Sequence, residues 1–540
     1  MGPGIVNSEP TMNDDAAQLM TTSRFYLYMT VFVAGMTTLA IEFTTSRLLQ
    51  TVFGTSNIVW ANVIGLVLLF LTIGYFLGGR LADQYPNPRI FYWLVTLAGF
   101  SGVFFLLLTS VILRSAAAAL ASVNISAIVS SLIAVFFALA VPVTLLGCIS
   151  PFAIRLGVRN VGEAGRISGR MYAVSTWGSL LGTYLPVLLI IPTAGTRLAA
   201  TLFGVLLLIV GLGGLWQLRR KADSTALLLI LLLIPVVIAW NQGGIKQSKG
   251  QVYEVESAYN YIQVLEVDGC NYLLLNEGQA YHSFYCEGGR VPRVSVWSIM
   301  LAAPYFRGVS ADLSVKNLAV IGLAAGTIPK QFTQTYGPIP IDGIELDPAI
   351  VEAGRQFFAL NEPNINVIIG DGRYELNQLD DQYDVITLDA YKVPYIPWHL
   401  TTTDFFEEVQ QHLTENGVLA VNVGRSPGDR RLVEAITATL LTVFPAVHTV
   451  DVPGSLNTIL IATVQMTSEN DFRRNIEDLA QATSPLLKKA LTVAETGLVP
   501  TVLSDIVFTD QRAPVETIID SMVIQYLLES GPSGLSEFGG

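Results

Sequence analysis

Three carboxylates and three glycines in the second half of the chain have the spacing of a nucleotide site. Gly322 and Gly326 stand in IGLAAGT, Glu345 in GIELD, Asp371 with Gly372 in IIGDGR, and Asp389 in ITLDAY. Each group closes a short run of Val, Ile and Leu, the pattern of a buried strand. Glycines in a strand-to-helix turn let backbone come close to a ligand. A carboxylate at the end of the next strand, 23 residues after Gly322, can accept both hydroxyl protons of a ribose. Asp371 with Gly372 suits an adenine amino group, and Asp389 falls on the same crevice. One acid at a strand end is usually a helix cap or a solvated residue. Three on consecutive strand ends, after a glycine turn, point to a bound nucleotide.

The same residues narrow the ligand. IGLAAGT lacks the G-x-G-x-x-G that cradles a pyrophosphate, and a crevice lined by acids repels phosphates. The ligand that fits is free of phosphate and positively charged, as the sulfonium of an S-adenosyl compound is.

A βαβ series must hold these residues: LAVIG, IDGIEL, INVIIG, YDVITLD and GVLAVNV alternate with helices, two of which start at Pro348 and Thr403. Such alternation implies a parallel, doubly wound sheet with ligands outside the carboxyl ends of its strands. Ahead of it, two runs rich in Val, Ile, Leu and Tyr meet at Asp268-Gly269, a dipeptide suited to a tight hairpin with positive φ. They predict a small antiparallel sheet, followed by a helix near Val294–Ala303.

The first half is of another kind. With 51% hydrophobic and 14% charged residues over 540 positions, the chain exceeds the apolar content of soluble domains. Seven stretches have roughly the 17–25 residues needed to cross a bilayer: Phe25–Thr45, Ile58–Leu77, Ile90–Leu113, Ile125–Gly147, Met171–Ile191, Leu198–Leu218 and the short Thr225–Trp240. Lys and Arg gather in the head and in the loops after the even spans (Arg24; Arg80, Arg89; Arg155, Arg159, Arg166, Arg170; Arg219, Arg220, Lys221). The opposite loops carry Arg47, Arg114 and Arg197. This asymmetry puts the N-terminus in the cytoplasm, and seven full crossings would then place the C-terminal domain on the far side. The side of that domain is left open, because the short seventh stretch need not cross. Gly74 and Gly78 form a small-xxx-small face for close helix packing. Glu42 is expected to pair with an arginine near its helix end. GRISGRMYAVSTWGSLLG reads as a basic loop entering a Gly-rich helix, suited to anionic headgroups.

These motifs resemble the spermidine synthase family, the polyamine aminopropyltransferases, in the bacterial form fused to an N-terminal multi-pass membrane domain. The resemblance covers residues from about 254 to 465, and the fused form also accounts for GRISGRMYAVSTWGSLLG and FTDQRAPVE (Phe508–Glu516). It implies transfer of an aminopropyl group from decarboxylated S-adenosylmethionine to an amine, leaving methylthioadenosine. Glu345 would hold the ribose, Asp371 and Gly372 the adenine, and Asp389 would be the base, with 18 residues between the two aspartates as the family spacing has it. Asn260 stands where the family usually has Gln, and Gln279 matches the polar residue of the second hairpin strand. The chain also departs from the family. Ala325 replaces the acid that holds the aminopropyl ammonium, Lys392 replaces a second acceptor acid, and Val296, Trp297 and Ser298 replace YHE. These changes count against putrescine as acceptor, since a diamine would face a like charge at Lys392.

The fold expected is therefore an α-helical transmembrane bundle of about seven spans followed by an α/β Rossmann-like domain of the S-adenosylmethionine-dependent methyltransferase type, with a small N-terminal antiparallel β-sheet. The divisions expected are a disordered head (1–24), the membrane domain (25–240), the small sheet (251–293), the nucleotide-binding domain (294–483) and a C-terminal helical segment and tail (484–540). His282, Trp297 and Tyr391 are candidates for an acceptor pocket, with Tyr395 and Trp398 as further aromatic lining. His399 reads as part of a helix cap at Thr402 or Thr403, and Asp510, Arg512 and Glu516 as a capped helix start. Cys148, Cys270 and Cys286 show no metal spacing, so neither a zinc site nor a disulfide framework is expected. The net charge of −12 offers nucleic acid no basic face. Expected partners are a small polyamine or other amine, the lipid bilayer of the cell membrane, and a second copy in a homodimer. Decarboxylated S-adenosylmethionine, or S-adenosylmethionine itself, is the expected co-substrate, with no metal. The rival activities are methyl transfer to a membrane-associated substrate, and a transporter or sensor that only binds a nucleotide.

Overall fold

The structure, a computed structural model, describes residues 24–53, 57–104, 127–218, 246, 248–276, 280–291, 294–391, 395–426, 428–477 and 484–530. The chain divides into two units, the first ending at Ile245 and the second taking in Lys246–Gly540.

Five described helices of the first unit are long and apolar enough to cross a membrane: Arg24–Gln50, Trp60–Gln84, Leu132–Gly157, Val161–Ala194 and Thr196–Gln217. They overlap five of the seven expected spans. The third expected span is helical over 88–104 and otherwise lies outside the described residues, as does all of the seventh, so the structure supports five spans and not clearly seven. Leu68, Phe76, Phe137, Leu188 and Leu189 are exposed on these helices, as the lipid-facing side of a multi-pass protein requires. Gly74 and Gly78 do make a close helix contact: a Cβ on either would come within 2.5 Å of backbone at Thr144 or Cys148. In GRISGRMYAVSTWGSLLG the expectation of a basic loop fails. The helix already begins at Ala164, and Glu163 just before it accepts from Arg24 at 3.2 Å with Arg166 at 3.7 Å.

The second unit opens with a four-stranded antiparallel sheet in the order β1-β2-β3-β4, made of Gln251–Glu256, Tyr261–Val267, Cys270–Leu275 and Tyr281–Cys286. The first run foreseen is two strands, β1 and β2, the second holds β3, and β4 is a further strand beyond it. Asp268 and Gly269 take φ of 51° and 71° and close the β2–β3 hairpin with Val267 opposite Cys270. Cys270 also faces Cys286 across β3 and β4, and the two are joined in a disulfide. That corrects the expectation of no disulfide. The spacing carried no signal because strand pairing, not sequence proximity, brings the two Cβ atoms together.

The second sheet has eight strands: β5 (Leu318–Ile321), β6 (Ile341–Glu345), β7 (Ile365–Ile369), β8 (Tyr383–Leu388), β9 (Leu413–Gly424), β10 (Ala446–Asp451), β11 (Asn457–Thr463) and β12 (Leu498–Val499). Their order is β12-β10-β11-β9-β8-β5-β6-β7. β9, β8, β5, β6 and β7 run parallel, as the βαβ pattern requires, whereas β11 pairs antiparallel with both β9 and β10, and β12 antiparallel with β10. The sheet is mixed rather than wholly parallel, since the short β10–β11 connection is a hairpin and not a helical crossover. Helices cover both faces over two buried clusters, one holding Phe405, Phe406 and Ile436, the other Phe306, Phe332 and Leu491. The chain leaves β5 toward β6 and β7, then returns on the other side to β8 and β9. This reversal opens a crevice beside β5 at the strands' carboxyl ends.

Candidate functional site

A cavity of about 340 Å³ lies across those carboxyl ends. Gly322, Glu345, Asp371, Gly372 and Asp389 all line it, together with Asn260, His282, Trp297 and Tyr391. Gly322 is needed for two reasons at once. Its φ is +89°, and a Cβ there would sit 2.5 Å from the carbonyl oxygen of Asp389, so the β5 turn and the β8 end touch through bare backbone. Gly326 does not line the cavity. With φ +91° it begins the helix Thr327–Tyr336, and a Cβ would strike Leu360 at 2.6 Å; its constraint is packing. Gln279 lies outside the described residues, as does Lys392.

Glu345 closes β6 and is buried. Its Oε2 accepts from the Ala324 amide at 2.9 Å and its Oε1 from the Asp347 amide at 3.0 Å. Ala324 presents that amide from a left-handed backbone, φ 48°, the kind of local strain that gathers at functional turns. Burial pushes Glu345 up to about 7, against the pull of the two amides.

Asp371 caps the short helix Gly372–Leu376, its Oδ1 accepting from the amides of Arg373 and Tyr374 at 3.1 and 3.2 Å. Its Oδ2 lies 2.9 Å from His399 Nε2. The expected helix cap beside His399 is Thr402, whose hydroxyl accepts from Phe405 N. His399 itself turns toward Asp371 and lines the cavity.

Asp389 holds the centre. Trp297 Nε1 donates to Oδ2 at 2.8 Å and Asn422 Nδ2 donates to Oδ1 at 2.8 Å. Burial raises this carboxyl to about 6, and the Asn422 and Trp297 donors hold it below where burial alone would put it. A carboxylate with two neutral donors, no cationic partner among the described residues and a pKa near neutrality is suited to take a proton from a bound nucleophile. Burial also pushes His282 down to about 4, leaving a neutral imidazole that would not repel a sulfonium. Tyr391 donates to the Asn422 carbonyl at 3.0 Å.

Several contributors were not legible as site residues. Asn422, Gly424 and Arg425 at the end of β9, and Ile519 and Met522 from the helix Val515–Ser530, also line the cavity. Asp347, fully buried, accepts from Ser257 Oγ and Asn260 Nδ2 (2.9 Å) and caps the helix Pro348–Phe357, fixing the small sheet to the large one. Asn260 therefore lines the cavity with its amide already held by Asp347, and its Oδ1 accepts from Asn276. Asp510 was read as local capping. It instead pairs bidentately with Arg373 at 2.8 and 3.0 Å, while Arg373 also bonds Glu408. This ties the segment before the last helix to the turn that carries Asp371. Among the described residues no group of three or more His, Cys, Asp or Glu is arranged to hold a metal ion.

A doubly wound sheet with acids at its switch point defines a nucleotide-handling α/β domain, and comparison with known proteins narrows the class. Residues 308–474 match the spermine/spermidine synthase domain family. The chain is 31% identical over 305 residues to a probable polyamine aminopropyl transferase of Bifidobacterium longum, covering 52% of this chain and 65% of that one. It is 29% identical over 192 residues to a polyamine aminopropyltransferase of Vibrio vulnificus, covering 34% and 63%. A third relative is the mouse eEF1A lysine and N-terminal methyltransferase, 29% identical over 155 residues, 27% of this chain and 22% of that protein. The chain thus spans less than two thirds of the length of each. The chain carries a domain similar to the spermine/spermidine synthase domain and to these transferases, after an N-terminal helical region with several helices long and apolar enough to cross a membrane.

Proposed function

We propose that the second unit transfers an aminopropyl group from decarboxylated S-adenosylmethionine to a primary amine. The observation that carries this reading is the gathering of Glu345, Asp371 and Asp389 on one cavity at the switch point. In this reading Glu345 accepts the ribose hydroxyls, Asp371 with Gly372 meets the adenine, and Asn260 closes the pocket from the small sheet. The amine nitrogen attacks the propyl carbon next to the sulfonium, a C–N bond forms, and the C–S bond breaks with its electron pair going to sulfur. Asp389 takes the proton that the nitrogen sheds, and methylthioadenosine leaves. General-base help of this kind contributes about 10²–10⁴-fold.

Methyl transfer from S-adenosylmethionine is the second reading. It is favoured by Ala325, buried and without charge where an acid would grip an aminopropyl ammonium. Calorimetry with both nucleotides separates the two. Tighter binding of the decarboxylated form supports aminopropyl transfer, and tighter binding of the carboxylated form overturns it in favour of methyl transfer.

A further inference from the structure

The cavity continues past Asp389 to the ends of β9 and β11, and this half has a lining unlike that of a diamine site. Its walls are apolar, with Leu432, Leu456, Ile519 and Met522 from three separate elements. Asn422 is 6% exposed, and its Oδ1 has no hydrogen-bond partner. Its Nδ2 is committed to Asp389, so among the described residues this carbonyl oxygen is an unused acceptor beside the proposed base, placed to receive an N–H of the attacking amine.

Beyond it, the charged side chain among the described lining residues of this half is cationic, Arg425. Its nearest acid is only partly available. Asp451 accepts from Arg430 through both nitrogens at 2.7 and 2.9 Å and from the Thr458 hydroxyl at 2.7 Å. Arg425 Nε stands 3.4 Å from Asp451 without a hydrogen bond among the described residues, and the guanidinium's one hydrogen bond there goes to the Ser455 carbonyl at 3.3 Å. One carboxylate thus serves two guanidinium groups, while neighbouring Arg431 is matched by Asp429. In this group Arg425, Arg430 and Arg431 outnumber Asp429 and Asp451 by one positive charge. Asp389 follows β8 and Arg425 follows β9, neighbouring strands about 4.8 Å apart, and both side chains line the same cavity.

Resting on the transfer reading above, we infer that the acceptor is a primary amine carrying an anionic group a few bonds away, seated with its amine on Asp389 and Asn422 and its anion on Arg425, and not a diamine. A free ω-amino carboxylate and a phosphoethanolamine headgroup share this chemistry. A second ammonium would lie in an apolar wall facing a guanidinium, which disfavours it.

The test uses the full-length protein in detergent with decarboxylated S-adenosylmethionine. Methylthioadenosine release and product mass are followed for diaminoalkanes, for ω-amino carboxylates of matched length, and for mixed vesicles of phosphatidylethanolamine and phosphatidylcholine. The expected result is a kcat/KM for one anionic amine at least about tenfold above that for the matching diamine, with the product in the aqueous or the lipid phase identifying its source. Arg425→Glu should invert that preference and Arg425→Gln should abolish it, while methylthioadenosine affinity, which checks folding, stays unchanged. Preference for the diamine in the unaltered protein, or an unaltered ratio in Arg425→Gln, overturns this inference and leaves aminopropyl transfer standing. Absence of methylthioadenosine with every amine overturns both.

Discussion

If Asp389 is the base, its two neutral donors set the acid limb of the pH profile. Burial raises the carboxyl to about 6 while Asn422 and Trp297 hold it down. Only the ionised form accepts a proton, so kcat/KM should fall with unit slope as pH drops below about 6. Trp297→Phe keeps an aromatic ring in place and removes the 2.8 Å N–H bond. A hydrogen bond to a charged group is worth about 1.5–3 kcal/mol, and each unit of pKa corresponds to about 1.4 kcal/mol. The limb should therefore move upward by about 1–2 units, to about 7–8. Activity at pH 9 should change little, because the base is ionised there in both proteins. Asn422→Ala should move the limb in the same direction. The assay is methylthioadenosine release from pH 5 to 9.5 at saturating nucleotide and low acceptor concentration, so that Glu345 does not shape the limb. An acid limb that stays at about 6 in both variants would refute the assignment of Asp389.

Three further outcomes follow from the geometry. Glu345, raised to about 7, accepts ribose hydroxyls best when ionised, so methylthioadenosine should bind more tightly as pH rises through about 7, and Glu345→Gln should flatten that dependence in calorimetry. Gly322→Ala combines an unfavourable φ of +89° with a 2.5 Å approach to Asp389; a loss on the order of 2 kcal/mol or more in chemical denaturation is expected, and an unchanged midpoint would contradict it. Replacing Cys270 and Cys286 by Ser opens a cross-link with a sequence separation of 16, which should cost about 2–3 kcal/mol, read as a lower melting temperature that reducing agent does not lower further.

The sequence shows most plainly what is periodic. Each parallel strand is a short apolar run ended by a chemically distinct residue, so Glu345, Asp371 and Asp389 can be read from the linear order alone, and βαβ alternation places their ends together. Asn422 lies inside β9, two residues before its end, and a lone asparagine has no charge to mark it; its bond to Asp389 depends on that residue lying one strand away. Asp347 looks like an ordinary helix cap, which it is; its bonds to Ser257 and Asn260 depend on where the small sheet docks. The same holds for Asp510, whose partner Arg373 is 137 residues distant. Cys270 and Cys286 meet only through strand register. Gly326 misleads in the opposite direction, since a glycine demanded by φ and by Leu360 is indistinguishable in sequence from one demanded by a ligand.

Product analysis by mass spectrometry tests the central claim most directly. Full-length protein incubated with an amine panel and, in turn, decarboxylated and carboxylated S-adenosylmethionine should release methylthioadenosine from the former, with an amine heavier by one aminopropyl group, and Asp389→Asn should lose that release while still binding nucleotide. Adenosylhomocysteine from the carboxylated form, or undiminished turnover in Asp389→Asn, would contradict it.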